Sequence, residues 1–184
     1  MRGPDRTTRR KMNDAELWQY ALKTLGGRAL SAADLRSRLR QRAAGDVDVD
    51  SLIGRLKERG FLNDEKFAEQ FATARRDNQG LGRQRVIRDL RQRRVPGKIA
   101  EQAVRAAYEE TNETELIEQY LARKYRKTPL AKHFSDPSNL AAAYRRLRYA
   151  GFSAGNSIRV LKRHASGAED LESLAAGEEP ASES

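Results

Sequence analysis

Arginine is the residue whose numbers and spacing give this chain a chemistry, and that chemistry is the capture of anions. Three segments, LRSRLRQR (35–42), VIRDLRQR (86–93) and AYRRLRYA (143–150), align without a gap and place Arg40, Arg91 and Arg148 at one equivalent position. At about 100° per residue on a helix, Val86, Ile87 and Leu90 cover one side while Arg85, Arg88 and Arg91 turn to the flanks and back. The first segment adds Arg36 and the third adds Arg145. A guanidinium is a planar fork that suits bidentate contact with phosphate or carboxylate, so the expected partner is DNA, RNA or an acidic protein surface. Base reading would call for Asn or Gln among the arginines, and only Gln41, Gln84 and Gln92 are placed for it. Contact with DNA, single- or double-stranded, is therefore expected to be phosphate-driven and salt-sensitive. Tyr149 is of a type that stacks on an exposed base, but its place in the repeat predicts a partly buried aromatic between repeats.

Bond-making chemistry has little to work with. His133 and His164 are far apart in sequence, lack ligand-spaced partners and are expected at the surface. Asp64-Glu65 imitates an acidic metal pair, yet acids are also what a helix start attracts. No phosphate-binding glycine loop, nucleophile elbow or dinucleotide fingerprint occurs. The absence of cysteine excludes disulfides, thiolate metal sites and a cysteine nucleophile. The sequence thus predicts a binding protein, not an enzyme, with no metal, cofactor or catalytic residue.

The positive charge is unevenly spread. Glu169, Asp170, Glu172, Glu178, Glu179 and Glu183 lie in a stretch without a base, and removing these six acids from the formal total of +10 leaves +16 on residues 1–166. Such a body attracts polyanions, and its acidic segment competes for the same surface. Hydrophobic residues at 38% and charged residues at 34% suit thin helical layers better than one thick core. No apolar run approaches the roughly 18 residues that cross a bilayer, and the start lacks a signal peptide's apolar centre, so a cytoplasmic monomer away from membranes is expected.

The elements that must position the arginines are helices, because apolar residues recur at helical spacing and strand-like alternation is missing. Leu17, Trp18, Ala21, Leu22 and Leu25 stripe a first helix, closed by Gly26-Gly27; Ser31 caps a second; Val49, Leu52, Ile53 and Leu56 mark a third. The pattern restarts with Asn63 or Asp64 as cap before Phe67, Ala68, Phe71 and Ala72, the loop DNQGLG, the arginine helix, and a helix with Pro96 in its first turn. A third cycle opens with a capping-box pattern at Asn112 and Glu115, is interrupted by TPLAKHFSDPSN, and ends in helices marked by Leu140 and Leu147, then by Ile158 and Leu161 behind a Ser153 cap. The expected architecture is all-α: three tandem three-helix, helix-turn-helix-like repeats at 14–61, 62–110 and 111–166, the last with an inserted linker at 128–139. They form an elongated, curved array between a disordered basic arm, 1–13, and a disordered acidic tail, 167–184.

One further reading comes from likeness, not from periodicity. FLNDEKFAEQFATARRDNQGLGRQRVIRDLRQRRVPGKIAEQAV (61–104) closely resembles the central signature of RecX regulatory proteins; ALKTLGGRALSAADLRSRL (21–39) and YRRLRYAGF (144–152) are similar to the family's opening and closing motifs. The resemblance covers roughly residues 15–165. It implies three tandem three-helix repeats lying in the groove of the RecA recombinase filament on DNA, inhibiting ATP hydrolysis and strand exchange and tuning recombination, repair and the SOS response. It carries over no catalytic residue. The matching Phe61, Leu62, Asp64, Phe67, Ala68, Arg75, Gly80, Gly82, Arg83, Leu90, Val95 and Ile99 are types that mostly build core, caps and turns. The alternative is a helical DNA- or RNA-binding module that acts without RecA.

Overall fold

The computed structural model describes residues 10–165. They form α1 (Asp14–Gly27), α2 (Ala32–Arg40), α3 (Val49–Glu58), α4 (Asp64–Ala74), α5 (Arg83–Gln92), α6 (Gly97–Ala107), α7 (Glu113–Lys124), α8 (Leu130–His133), α9 (Pro137–Tyr149) and α10 (Ala154–His164). A π-turn, Arg75–Gln79, prolongs α4 and uses up the first half of the expected DNQGLG loop. No strand forms among the described residues, where a single isolated bridge joins Met12 to Ala43.

Short polar side chains begin most of these helices. Asn13, Ser31, Asp48, Asn63, Asn112, Asp136 and Ser153 each accept a hydrogen bond from a first-turn amide that would otherwise lack a partner. The box expected at Asn112 is half formed: the Glu115 carboxylate takes the Asn112 side-chain amide at 3.1 Å instead of its backbone. Pro96 stands just before α6, not in its first turn.

Burial divides the described residues between two cores. One gathers Leu17, Ala21, Leu35, Leu39, Leu52, Ile53 and Leu56 from α1–α3. The other runs from Phe67 in α4 to Leu161 in α10, so the second and third units share one interior. The aligned Leu39, Leu90 and Leu147 are all fully buried, which is why the three arginine segments keep the same register. The expected linker is part of the second core, since it folds α8 and sinks Phe134 to 2% exposure.

Of the arm, residues 10–13 rest on the first unit. The Met12 amide donates to the Arg42 carbonyl at 2.8 Å, and the Ala44 amide donates to the Met12 carbonyl at 2.9 Å. The rest of that arm, 1–9, and the acidic segment 167–184 lie outside the described residues.

Candidate functional site

The arginine-bearing helices α9, α5 and α2 are joined end to end. α5 starts at Gly82, which has no side chain to cap it. The C-terminus of α9 provides the acceptors instead, since the Gly82 amide donates to the Ala150 carbonyl at 2.8 Å and the Gln84 amide to the Gly151 carbonyl at 3.2 Å. Donors orphaned at one helix start thus meet acceptors orphaned at another helix end, which sets the positive end of one helix dipole against the negative end of the other. The approach requires two glycines. A Cβ on Gly82 would stand 2.3 Å from the Gly151 backbone, and one on Gly151, whose φ is +91°, would stand 2.2 Å from the Arg85 amide nitrogen. At the other end of α5, the Arg93 carbonyl accepts from the Ser31 hydroxyl that begins α2, at 2.8 Å, and the Arg93 guanidinium pairs with Asp34 at 3.2 Å.

Two carboxylates tie further helix starts together. Asp64, the first residue of α4, accepts from the Ala32 amide at the start of α2 at 2.8 Å and from Lys57 at 3.1 Å. Asn63 caps α4 itself, so the cap that Asp64 supplies belongs to another helix. Glu113, the first residue of α7, accepts from the Ser153 amide and hydroxyl and from the Asn156 side chain, at 3.0, 2.5 and 2.5 Å. Burial opposes ionisation of Glu113, but these hydrogen bonds hold its carboxyl below the ordinary value.

The predicted contact residues occupy this file in unequal states. Arg36 and Arg40 are on α2 and both clamp Asp50 of α3, at 2.6 and 2.7 Å; hydrogen bonds from Arg40 and then Arg36 hold that carboxyl below its usual range. Arg91 is exposed and pairs with Glu101 of α6 at 3.0 Å. Arg88 is exposed and reaches the Tyr149 carbonyl at 3.5 Å, while Arg145 is exposed with no ion pair among the described residues. Arg148, equivalent to Arg40 and Arg91 in the repeat, is half-buried and donates to the Phe152 carbonyl at 2.6 Å. Asp50 and Glu101 compensate three of these arginines, because α3 and α6 bring acids alongside. Solvent and salt screen such exposed pairs, so a phosphate can displace them.

Arg85 is drawn inward to Asp89 at 2.8 Å, and its guanidinium lies 4.6 Å from the ring centre of Tyr149. Tyr149 itself is 67% exposed, which corrects the expectation of a partly buried interface aromatic. The helix-to-helix seam is filled by Ala150 and Gly151 instead, and the ring is left at its rim. Neither histidine is a plain surface residue: His133 packs 4.7 Å from Tyr125, and His164 is half-buried on Glu118 at 2.7 Å. Among the described residues no group of acids and histidines could hold a metal ion, and no helix is long and apolar enough to cross a membrane.

Comparison with known proteins places this geometry. A family model described as RecX, second three-helix domain, matches residues 63–104. A "Regulatory protein RecX" of Trichlorobacter lovleyi is 30% identical over 111 residues, which cover 60% of this chain and 72% of that one. The chain belongs to the RecX family. Its relative in Deinococcus radiodurans, also named "Regulatory protein RecX", is 30% identical over 155 residues, covering 84% of this chain and 70% of its own. The crystal structure of RecX from Lactobacillus salivarius shares the fold, with a TM-score of 0.66 over 82% of this chain and 95% of that chain at 18% identity.

Some features of this family member escaped the sequence reading. Phe61, taken as a packing residue, is 51% exposed and meets half-buried Trp18 edge-on at 6.3 Å, while Arg55 and Arg59 lie 5.4 and 5.1 Å from the tryptophan ring centre. Arg75 and Arg93 both lie over Phe71, at 4.7 and 5.1 Å. Arg76 and Arg83 close the carbonyl end of α6 by donating to Ala107 and Tyr108. For the glycine joint, a signal was present in the bare GLG before α5 and the AGF after α9.

Proposed function

We propose that the protein is a cytoplasmic, monomeric regulator that binds the RecA–DNA filament and restrains RecA's ATP hydrolysis and strand exchange, and with them recombination, repair and the SOS response. The observation that carries the reading is the end-to-end joining of α9, α5 and α2. It turns three short basic helices, about 14 to 20 Å long at 1.5 Å per residue, into one positive edge able to follow a filament. Arg36, Arg40, Arg88, Arg91, Arg145 and Arg148 supply its charge, with Arg85 and Tyr149 at the seam. DNA phosphates and acidic RecA side chains are both partners for it.

A module that binds nucleic acid without RecA needs only that edge. The exposed Phe61 beside Trp18, flanked by Arg55 and Arg59, favours the filament reading, because aromatic and arginine clusters of this kind anchor protein–protein contacts. The expected occupant is an acidic RecA surface with an apolar side chain to set against Phe61. The test is RecA's DNA-dependent ATP hydrolysis titrated with this protein, at salt high enough to suppress binding to bare DNA. Inhibition that weakens when Arg40, Arg91 and Arg148 are changed together to alanine supports the reading; full ATP hydrolysis at every ratio leaves only a nucleic-acid binder.

A further inference from the structure

We infer that the seam between α5 and α9 holds a site for one nucleotide, with the base stacked on Tyr149 and the phosphate on neighbouring guanidiniums. It rests on the nucleic-acid half of the reading above and adds recognition of the base itself to an edge otherwise read as phosphate-driven. Beside Tyr149 opens a pocket of about 430 Å³, lined by Arg75, Arg85, Gln92, Arg93 and Tyr120 among others, within the roughly 300–1,000 Å³ usual for small-ligand sites.

The aromatic wall is fixed in place. Arg85 covers one side of the Tyr149 ring, and Arg85 is itself held by Asp89, which is 8% exposed and also lies 3.8 Å from Arg75. With 67% of Tyr149 exposed, the ring offers a pre-oriented surface for a base, which a mobile tyrosine would have to order at an entropic cost. Tyr120 lines the same pocket and is braced edge-on against Phe152 at 5.6 Å.

The polar wall suits the rest of a nucleotide. Arg75, Arg85 and Arg93 face the pocket against one lining carboxylate, Asp89; Asp34, outside the lining, takes one edge of Arg93. The stacking of Arg75 and Arg93 over Phe71 fixes their planes, so an arriving phosphate meets positioned donors. The π-turn contributes Gln79, whose side-chain oxygen accepts from Arg75 at 2.5 Å while its amide nitrogen remains a donor. Gln92 has no partner among the described residues and offers both a donor and an acceptor to a base edge. Leu81 and Ala150 add apolar surface beside the two tyrosine rings, which suits the face of a base, and the excess of arginine over carboxylate in the lining asks for an anion.

The nucleotide can belong to a single strand of DNA or be free, and the same experiment separates the two. Binding of the full chain to a fluorescent oligothymidylate is compared, by anisotropy, with binding to the same strand built from abasic units. The base-bearing strand is expected to bind about fivefold or more tightly than the abasic one, since a base stacked on an aromatic contributes at least that factor. Tyr149→Phe should keep the preference, and Tyr149→Ala should erase it while leaving the salt dependence unchanged; the exposed position makes both variants compatible with folding. Displacement of the strand by thymidine monophosphate from the wild type assigns the site to free nucleotide, and its failure to displace assigns it to a strand. Equal binding of base-bearing and abasic strands overturns the site while leaving the phosphate-driven edge intact. Binding to neither strand overturns both, and a base preference that survives Tyr149→Ala places base recognition elsewhere.

Discussion

Two carboxylates hold this fold together from a distance. Asp64 and Glu113 each begin one helix and satisfy the start of another, so each ties together segments far apart in sequence. Replacing Asp64 by Ala removes the acceptor for the Ala32 amide and the partner of Lys57. Unfolding by urea is expected to show a loss of about 1–2 kcal/mol, with Asn retaining most of the cap. Glu113 gives a pH signature. Its folded carboxyl titrates below the ordinary 4.5, so the stability it contributes is present above that value and is lost as pH falls through the folded-state value. Thermal unfolding should therefore show a step of acid destabilisation below about pH 4.5 in the wild type that is reduced in Glu113→Gln, whereas identical pH profiles would remove Glu113 from the account. That Asp64 acts as a cap was readable from its position after Asn63. Which helix it caps was not, because the acceptor geometry depends on how α4 is set against α2, and no local pattern encodes that. Phe61 marks the same limit: an aromatic before a helix start reads as packing, and only the assembled first unit leaves it at the surface beside Trp18.

Helix by helix, the ungapped alignment of the three arginine segments predicted the three middle helices, because the buried leucines repeat at one position and fix the register. The sequence read the second and third units as separate repeats with a linker inside the third, yet one interior spans both units and Phe134 of that linker is part of it. A linker rich in turn-formers gave no hint that its one phenylalanine is buried. The missing cap of α5 is explained by its neighbour, since the carbonyl end of α9 supplies what Gly82 cannot. Substituting alanine at Gly151 forces a Cβ into the Arg85 backbone and into a left-handed conformation, and about 2–4 kcal/mol of destabilisation is expected. Gly82→Ala should be similarly damaging, whereas Gly155→Ala, in α10 with open space around its Cβ, should be neutral or slightly stabilising in the same thermal melts. Equal effects at Gly151 and Gly155 would mean that the joint is not tight.

For the molecule as a whole, the joint matters because it sums charges. A basic helix alone is a common solvated surface; on the proposed reading, three joined end to end act as one edge on a body whose residues 1–166 carry +16 once the six acids are taken from the +10 total. The pairing of Arg36 and Arg40 with Asp50, and of Arg91 with Glu101, tempers that edge and leaves Arg88 and Arg145 as exposed guanidiniums without a carboxylate partner among the described residues. Alanine at Arg88 and Arg145 should each lower the salt slope of single-strand binding by roughly 0.7, the share of one phosphate contact. The measurement that bears most directly on the central claim is equilibrium binding of the full chain to a RecA–single-strand filament and to the same strand bare, followed as salt is raised. Affinity for the bare strand is expected to fall steeply while the filament keeps most of its affinity, and alanine at Arg40, Arg91 and Arg148 together is expected to weaken filament binding. Affinities for filament and bare strand that fall together at every salt concentration would contradict it, and would leave a basic helical edge that recognises DNA alone.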